Sequence, residues 1–182
     1  MVHKISPKAP TADVTELLHK DHQKVRELFF DFTNTEDEKE KEQLVKQIIT
    51  ELFIHAKAEE EIVYSEVEEL AEGEDIIKEA ETEHRMVKYL MAELQGMKAS
   101  EELFDAKVTV LCELVNHHVR EEEKEMFKKL RESDVDLEEL AEKVESRKEE
   151  LKSKPLPKMT ADLEIAEEAT AKAKAVKSKK SA

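Results

Sequence analysis

His118-Val119-Arg120-Glu121-Glu122-Glu123-Lys124-Glu125-Met126-Phe127 and His55-Ala56-Lys57-Ala58-Glu59-Glu60-Glu61-Ile62-Val63-Tyr64 are two versions of one pattern. Each places a glutamate four residues after a histidine and an aromatic residue nine after it. On a helix the first spacing puts imidazole and carboxylate on one face, a turn apart, where both can reach one metal site.

The repetition extends to the helices that precede these segments. Asp21-His22-Gln23-Lys24-Val25-Arg26-Glu27-Leu28 aligns with Glu83-His84-Arg85-Met86-Val87-Lys88-Tyr89-Leu90 as acid, His, two variable residues, Val, base, variable residue, Leu. His22 precedes His55 by 33 positions and His84 precedes His118 by 34. The chain therefore reads as a helix pair used twice, each copy supplying a histidine and then a His-x-x-x-Glu set.

Composition points the same way. Two Gly and four Pro in 182 residues leave few of the turn residues that a strand-rich fold needs, whereas 41% charged residues suit long helices. The 39% apolar residues suffice for one core, so an all-α domain is expected. With 45 acidic residues against 30 basic ones the formal charge is −15, which repels a phosphate backbone; no nucleic-acid partner is expected. The amino terminus carries no secretory-type apolar run and no stretch near 18 residues is apolar, so neither export nor a membrane is expected, and the location expected is cytoplasmic. Cys112 stands alone, which excludes an intrachain disulfide and reads as a small buried apolar residue.

In chain order, residues 1–10 read as a flexible lead-in that includes His3, with Thr11 or Asp13 as the N-cap of a first helix through about Phe32. Its apolar stripe runs Leu18, His22, Val25, Phe29, Phe32. A second helix is expected from about Asp37 to Glu72 with the stripe Leu44, Ile48, Leu52, His55, Glu59, and Gly73 as its stop. A third, about 74–97, carries Ile77, Ala80, His84, Val87, Met91 and Leu94; a fourth, capped by Ser100, carries Phe104, Val108, Leu111, Val115, His118, Glu122 and Met126. Short connections between four such helices predict an up-down-up-down bundle over 11–131. A short fifth helix is expected within 134–152, and 153–182 reads as a disordered basic tail whose last eleven residues hold five lysines and no acid.

Histidine and glutamate in a core stripe cost free energy unless they are paired or metal-bound. One such histidine is more often a satisfied core residue; six groups on four stripes, arranged as two repeats, point to metal. Imidazole and carboxylate without thiolate suit iron, manganese or zinc, and six ligands exceed one closed zinc site. Two metals bridged by two glutamates could each keep two histidines, leaving positions for a bridging oxygen and an exogenous small molecule.

Over about residues 11–130 this pattern resembles the hemerythrin-like proteins, or HHE cation-binding domain. His22, His55 with Glu59, His84, and His118 with Glu122 match its His, His-x-x-x-Glu repeat. The resemblance implies a four-helix bundle around two non-haem iron ions (Fe2+/Fe3+) with a bridging oxo or hydroxo group, Glu59 and Glu122 as bridges and the four histidines as terminal ligands. It further implies dioxygen, peroxide or nitric oxide as the small-molecule ligand.

The sequence departs from the oxygen-carrying members, which have a fifth histidine where Lys88 stands here. Sensing or consuming reactive oxygen or nitrogen species is therefore expected over transport, with catalase- or oxidase-like turnover left open. The alternative is an iron-responsive regulatory or binding module without turnover. His19 and Glu81 are candidate additional ligands, Glu123 an alternative acid in the fourth helix, and His117 with Glu121 an alternative register. That register places Lys107 and Lys124 on the stripe, so His118 and Glu122 are preferred. For Tyr64 and Phe127, core packing is the expected role, with a radical or proton role for Tyr64 as the sharper reading.

Overall fold

A computed structural model describes residues 12–159. His3, the lead-in and the tail from residue 160 onward, with its lysine run, lie outside the described residues. We number five helices: α1 (Val14–Asn34), α2 (Glu38–Ala58, continued by Glu59–Val63 and Tyr64–Glu68), α3 (Gly73–Leu94), α4 (Phe104–Glu121, continued by Glu122–Met126 and Phe127–Glu132) and α5 (Leu137–Lys152). The first four form the expected up-down-up-down bundle, and α5 packs across α1 and α2.

Aspartates start three of these helices. Asp13 Oδ1 accepts from the backbone N–H groups of Thr15 and Glu16 at 2.8 and 3.0 Å, Asp37 from Glu40 at 2.9 Å, and Asp136 from Glu139 at 2.9 Å. Each satisfies donors that the first helical turn leaves unpaired. Of the two candidate caps of α1, Asp13 takes the role, and Thr11 lies outside the described residues.

Two punctuation residues act differently from their sequence reading. Gly73 opens α3 instead of closing α2, whose last helical residue is Glu68. The left-handed turn falls on Glu72, at φ 61°, and Gly73 is needed for space: a Cβ there would lie 1.7 Å from the carbonyl oxygen of Val67. Ser100 does not cap α4, which begins at Phe104 after a series of turns; Glu101 instead accepts from the backbone N–H of Lys98.

The apolar core is divided. One cluster, with Phe29, Phe32, Ile48, Met91, Phe104 and Leu111, fills one end of the bundle; the other, with Leu18, Val63, Ile77, Phe127, Leu130 and Val144, fills the opposite end and takes in the inner face of α5. Between them lies a layer of buried polar side chains: His22, His55, Glu59, His84, His118 and Glu122. Cys112 is half-buried beside the first cluster, not fully interior.

The chain after α5 is held where a flexible tail was expected. Gln95 donates to the Pro157 carbonyl at 2.9 Å and accepts from the Met159 N–H at 2.8 Å, and Met159 is buried in the first cluster. Among the described residues no helix is long and apolar enough to cross a membrane.

Because the Gly73 clash is with backbone, not a movable side chain, Gly73→Ala is expected to destabilise the fold by roughly 3 kcal/mol. Chemical denaturation measures this, and a change within about 0.5 kcal/mol would show that the α2–α3 corner relaxes freely.

Candidate metal centre

The layer between the two apolar clusters is built from mid-helix positions on α1 and α3 and from the ends of α2 and α4. At those ends the helices change pitch. Glu59–Val63 and Glu122–Met126 are single π-helical turns, closed by i→i−5 bonds from Tyr64 N–H to Glu59 O and from Phe127 N–H to Glu122 O. In a regular α-helix nine residues span about two and a half turns and would put the aromatic opposite its histidine. The wider turn brings it back to the core face. Such turns recur at functional sites.

The six residues singled out in the sequence meet. His22 Nε2 lies 3.2 Å from His55 Nε2, and His84 Nε2 lies 3.1 Å from His118 Nε2. Glu59 stands between the pairs, Oε1 3.2 Å from His55 Nε2 and Oε2 3.5 Å from His84 Nε2. Glu122 Oε2 is 3.1 Å from His22 Nε2 and 3.7 Å from His118 Nε2.

A second ring of carboxylates surrounds the histidines. His55 Nδ1 donates to Asp21 (3.3 Å), His84 Nδ1 to Glu60 (2.8 Å), His118 Nδ1 to Glu83 (2.8 Å) and His22 Nδ1 to Glu123 (2.9 Å). The first and third bonds stay within one repeat, while the second and fourth cross between repeats. An ionised carboxylate can only accept, so in each neutral imidazole Nδ1 carries the proton and Nε2 is left with its lone pair.

Outside this ring each acid meets a nitrogen donor. Lys148 of α5 holds Asp21 at 2.6 Å, Lys88 holds Glu60 at 2.9 Å, His117 approaches Glu83 at 3.1 Å, and His19 approaches Glu123 at 3.0 Å with Arg26 Nη1 at 3.7 Å. Several alternatives thereby find places. Lys88, which stands in the fifth-histidine position, is buried and turned to Glu60. His19, His117 and Glu123 belong to the outer layers, and Glu81 joins none of the His/Glu clusters among the described residues.

This arrangement fits cations. In each histidine pair the two Nε2 atoms face each other at about hydrogen-bond distance, with the Tyr64 hydroxyl reaching only that of His84, and none of the four oxygens of Glu59 and Glu122 receives a hydrogen bond. Buried polar atoms without partners are costly. Burial and the facing Glu122 charge push the Glu59 carboxyl well above the usual range, while burial and the neighbouring His118 bring His84 down to about 4. Burial opposes the ionised form of Glu60 as well, but His84 and Lys88 outweigh it and hold this carboxyl at about 2.

Of the outer carboxylates, Glu60 reads from the sequence as a surface or ligand-supporting residue and Glu123 only as an alternative ligand, whereas the roles of Asp21 and Glu83 are visible only in the structure. Their signal was an acid immediately before His22 and His84 and another immediately after Glu59 and Glu122. Tyr64 was foreseen mainly as packing. Its ring stacks on His84 at 5.5 Å and its hydroxyl lies 3.2 Å from His84 Nε2, while Phe127 stacks on His22 at 5.8 Å.

Two outcomes follow from these layers. Glu60→Gln and Asp21→Asn should each weaken metal retention by about 10- to 100-fold, read by competition with a chelator; unchanged affinity would remove the orienting role. For the metal-free protein the shifts also fix a pH dependence. His84, ordinarily near 6.5, is neutral in the fold down to about 4, so the unfolded chain takes its proton first and stability falls with pH through that window. Glu60 stabilises above its ordinary 4.5, and that contribution is lost as pH falls toward about 2. His118, raised by Glu83 and Glu122 against the effect of burial, offsets part of this loss. Glu59, pushed up by burial and the Glu122 charge, gains stability over the same descent, so in a Glu59→Gln background, where that opposing gain is absent, the urea midpoint should decline from pH 7 to pH 4, and a flat profile there would contradict these assignments.

Comparison with known proteins agrees with this geometry. A family profile described as Hemerythrin HHE cation binding domain matches residues 13–130. A DNA nickase from Nostoc sp. is 30% identical over 119 residues, 65% of this chain and 34% of that protein. An uncharacterized hemerythrin-like protein from Schizosaccharomyces pombe is 28% identical over 112 residues, 60% of this chain and 55% of that protein. The matched region thus spans about a third and about half of these two relatives. Among solved structures, a Hemerythrin HHE cation binding domain-containing protein from Mycobacterium kansasii shares the fold with a TM-score of 0.67 at 24% identity, over 78% of this chain and 88% of that one. With a buried His/Glu layer at the centre of its bundle, the chain belongs to the hemerythrin HHE cation-binding domain family.

Proposed function

We propose that this is a non-haem di-iron protein that binds or reacts with dioxygen, peroxide or nitric oxide, in sensing or detoxification. The observation that carries the reading is the pair of facing Nε2 lone-pair sets with two partnerless carboxylates between them. His22 and His55 would hold one iron, His84 and His118 the other, with Glu59 and Glu122 spanning both. Imidazole and carboxylate donors without sulfur suit iron, which when bound would supply one-electron chemistry and exchangeable coordination positions.

The surrounding residues favour a small neutral ligand. A cavity of about 20 Å³ lies against the four histidines and is otherwise walled largely by Val25, Leu52, Val87, Val115 and Val119. That volume holds little more than a water-sized molecule, and its apolar walls favour a diatomic over an ion. Burial and the Glu59 charge keep the Tyr64 hydroxyl protonated at neutral pH, so a proton is held at Oη beside His84. Phe127 supplies none beside His22, so the two halves of the site differ. The nicking named for the Nostoc relative belongs to a protein of which the match covers 34%, and the formal charge of −15 here works against DNA; we keep the small-ligand reading.

Anaerobic ferrous loading followed by metal analysis and near-ultraviolet and visible spectroscopy tests the proposal. Two irons per chain, with ferric absorption that appears in air or peroxide and bleaches on reduction, are expected. A single zinc, or no retained metal, would sink it. Tyr64→Phe should keep both irons and slow oxidation of the reduced protein by peroxide on the order of a hundredfold; an unchanged rate would return Tyr64 to a packing role.

A further inference from the structure

The two helix pairs are near-copies around the site but not on their outer faces. The cleft between α3 and α4 is lined by Glu79, Glu83, Glu121 and Glu125, and its floor includes His118 and Glu122. Superposing the repeats through their histidines puts Leu17 where Glu79 stands, Asp21 at Glu83, Ile54 at His117, Ala58 at Glu121 and Ile62 at Glu125. On that first-repeat face Leu17, Ala58 and Ile62 share an apolar cluster with Leu140, Ala141 and Val144 of α5. One copy of the face is closed by a helix. The other is acidic and open.

Glu79 and Glu83 of this cleft and the neighbouring His117 offer ligand atoms that all lie within 4.8 Å of one another. Glu79 and His117 are exposed, and Glu83 is half-buried. Glu83 faces both ways: Oε1 is 3.1 Å from His117 Nε2, and Oε2 accepts from His118 Nδ1 at 2.8 Å. Beneath it Glu122 is 4% exposed, and neither of its oxygens has a hydrogen-bond partner. Lys124 pairs with Glu121 at 3.4 Å and Glu125 at 3.0 Å, neutralising part of the rim but not the Glu79–Glu83–His117 group. The apolar cavity of the proposed ligand adjoins the histidines among valines, and the one acid in its lining, Asp21, is half-buried and paired with Lys148.

From these observations we infer that the α3–α4 cleft is the uptake route for the divalent metal, with Glu79, Glu83 and His117 as its first binding stop and Glu122 as the next ligand inward. The inference rests on the metal reading above and adds a separate path for cations, distinct from the apolar one for a neutral ligand. A cation at the first stop displaces the His117–Glu83 contact, and from Glu83 it is one side chain away from His118. Carboxylates at the mouth raise the local cation concentration and speed capture in a salt-dependent way.

Cobalt(II) binding to the full-length metal-free protein, followed by stopped-flow absorption, tests this. The variant Glu79→Gln removes one first-stop ligand and leaves His117 and Glu83 in place beside His118. Expected are loading about threefold slower than wild type at low ionic strength, a smaller difference at high salt, and the same final two cobalt ions per chain. Glu27→Gln, which removes an exposed charge on α1, should load as wild type. Equal rates for Glu79→Gln and wild type would overturn the route, as would equal slowing by Glu27→Gln or a lower final stoichiometry in Glu79→Gln. If wild type itself takes up no cobalt or iron, the metal reading has failed, which is a different result.

Discussion

Two carboxylates, Glu59 and Glu122, sit in the middle of the bundle with no hydrogen-bond donor on any of their oxygens. The rest of the structure answers that constraint. A buried carboxylate without a partner is unfavourable by several kcal/mol, and the chain places two of them together, flanked by four imidazoles whose unprotonated nitrogens point inward. The divided core follows: apolar packing stabilises the bundle above and below this layer, while the layer itself is organised for charge.

The same constraint accounts for the concentric arrangement around it. Nitrogens facing a metal position must present lone pairs, so the opposite ring nitrogens must hold protons, and those protons need acceptors. Asp21, Glu60, Glu83 and Glu123 fill that role, and because they are themselves partly buried they in turn take Lys148, Lys88, His117 and His19 with Arg26. Charge thus alternates outward from the centre. The fifth helix contributes to it directly, since Lys148 reaches Asp21 across 127 residues of sequence, so α5 is tied to His55 through one intervening carboxylate.

The two repeats share this arrangement and depart from each other at two places. The repeats agree at the histidines, the inner glutamates, the outer acids and the two π-helical turns. They differ at Tyr64 against Phe127, which gives one imidazole a phenol and the other a phenyl ring. They differ again on the outer faces, where the first repeat is apolar under α5 and the second is acidic and open. The two outer faces are thus unlike, one apolar and covered and the other acidic and open, and it is on this difference that the proposed cation route rests.

Helix number, helix order and the six inner residues were legible in the sequence, because period and spacing act locally and the second copy confirmed each choice in the first. His118 over His117 was decided by the same logic, as only one of the adjacent stripes stays apolar. What the sequence could not decide were contacts set by close approach of distant segments: that Gly73 is needed for Val67 and not for a helix stop, that residues 155–159 lie on the bundle, and that Lys88 turns to Glu60. The π-helical turns belong to the same class. A local reading assumes about 3.6 residues per turn; only packing of both helix ends around the buried glutamates decided that the chain widens there and brings Tyr64 to His84.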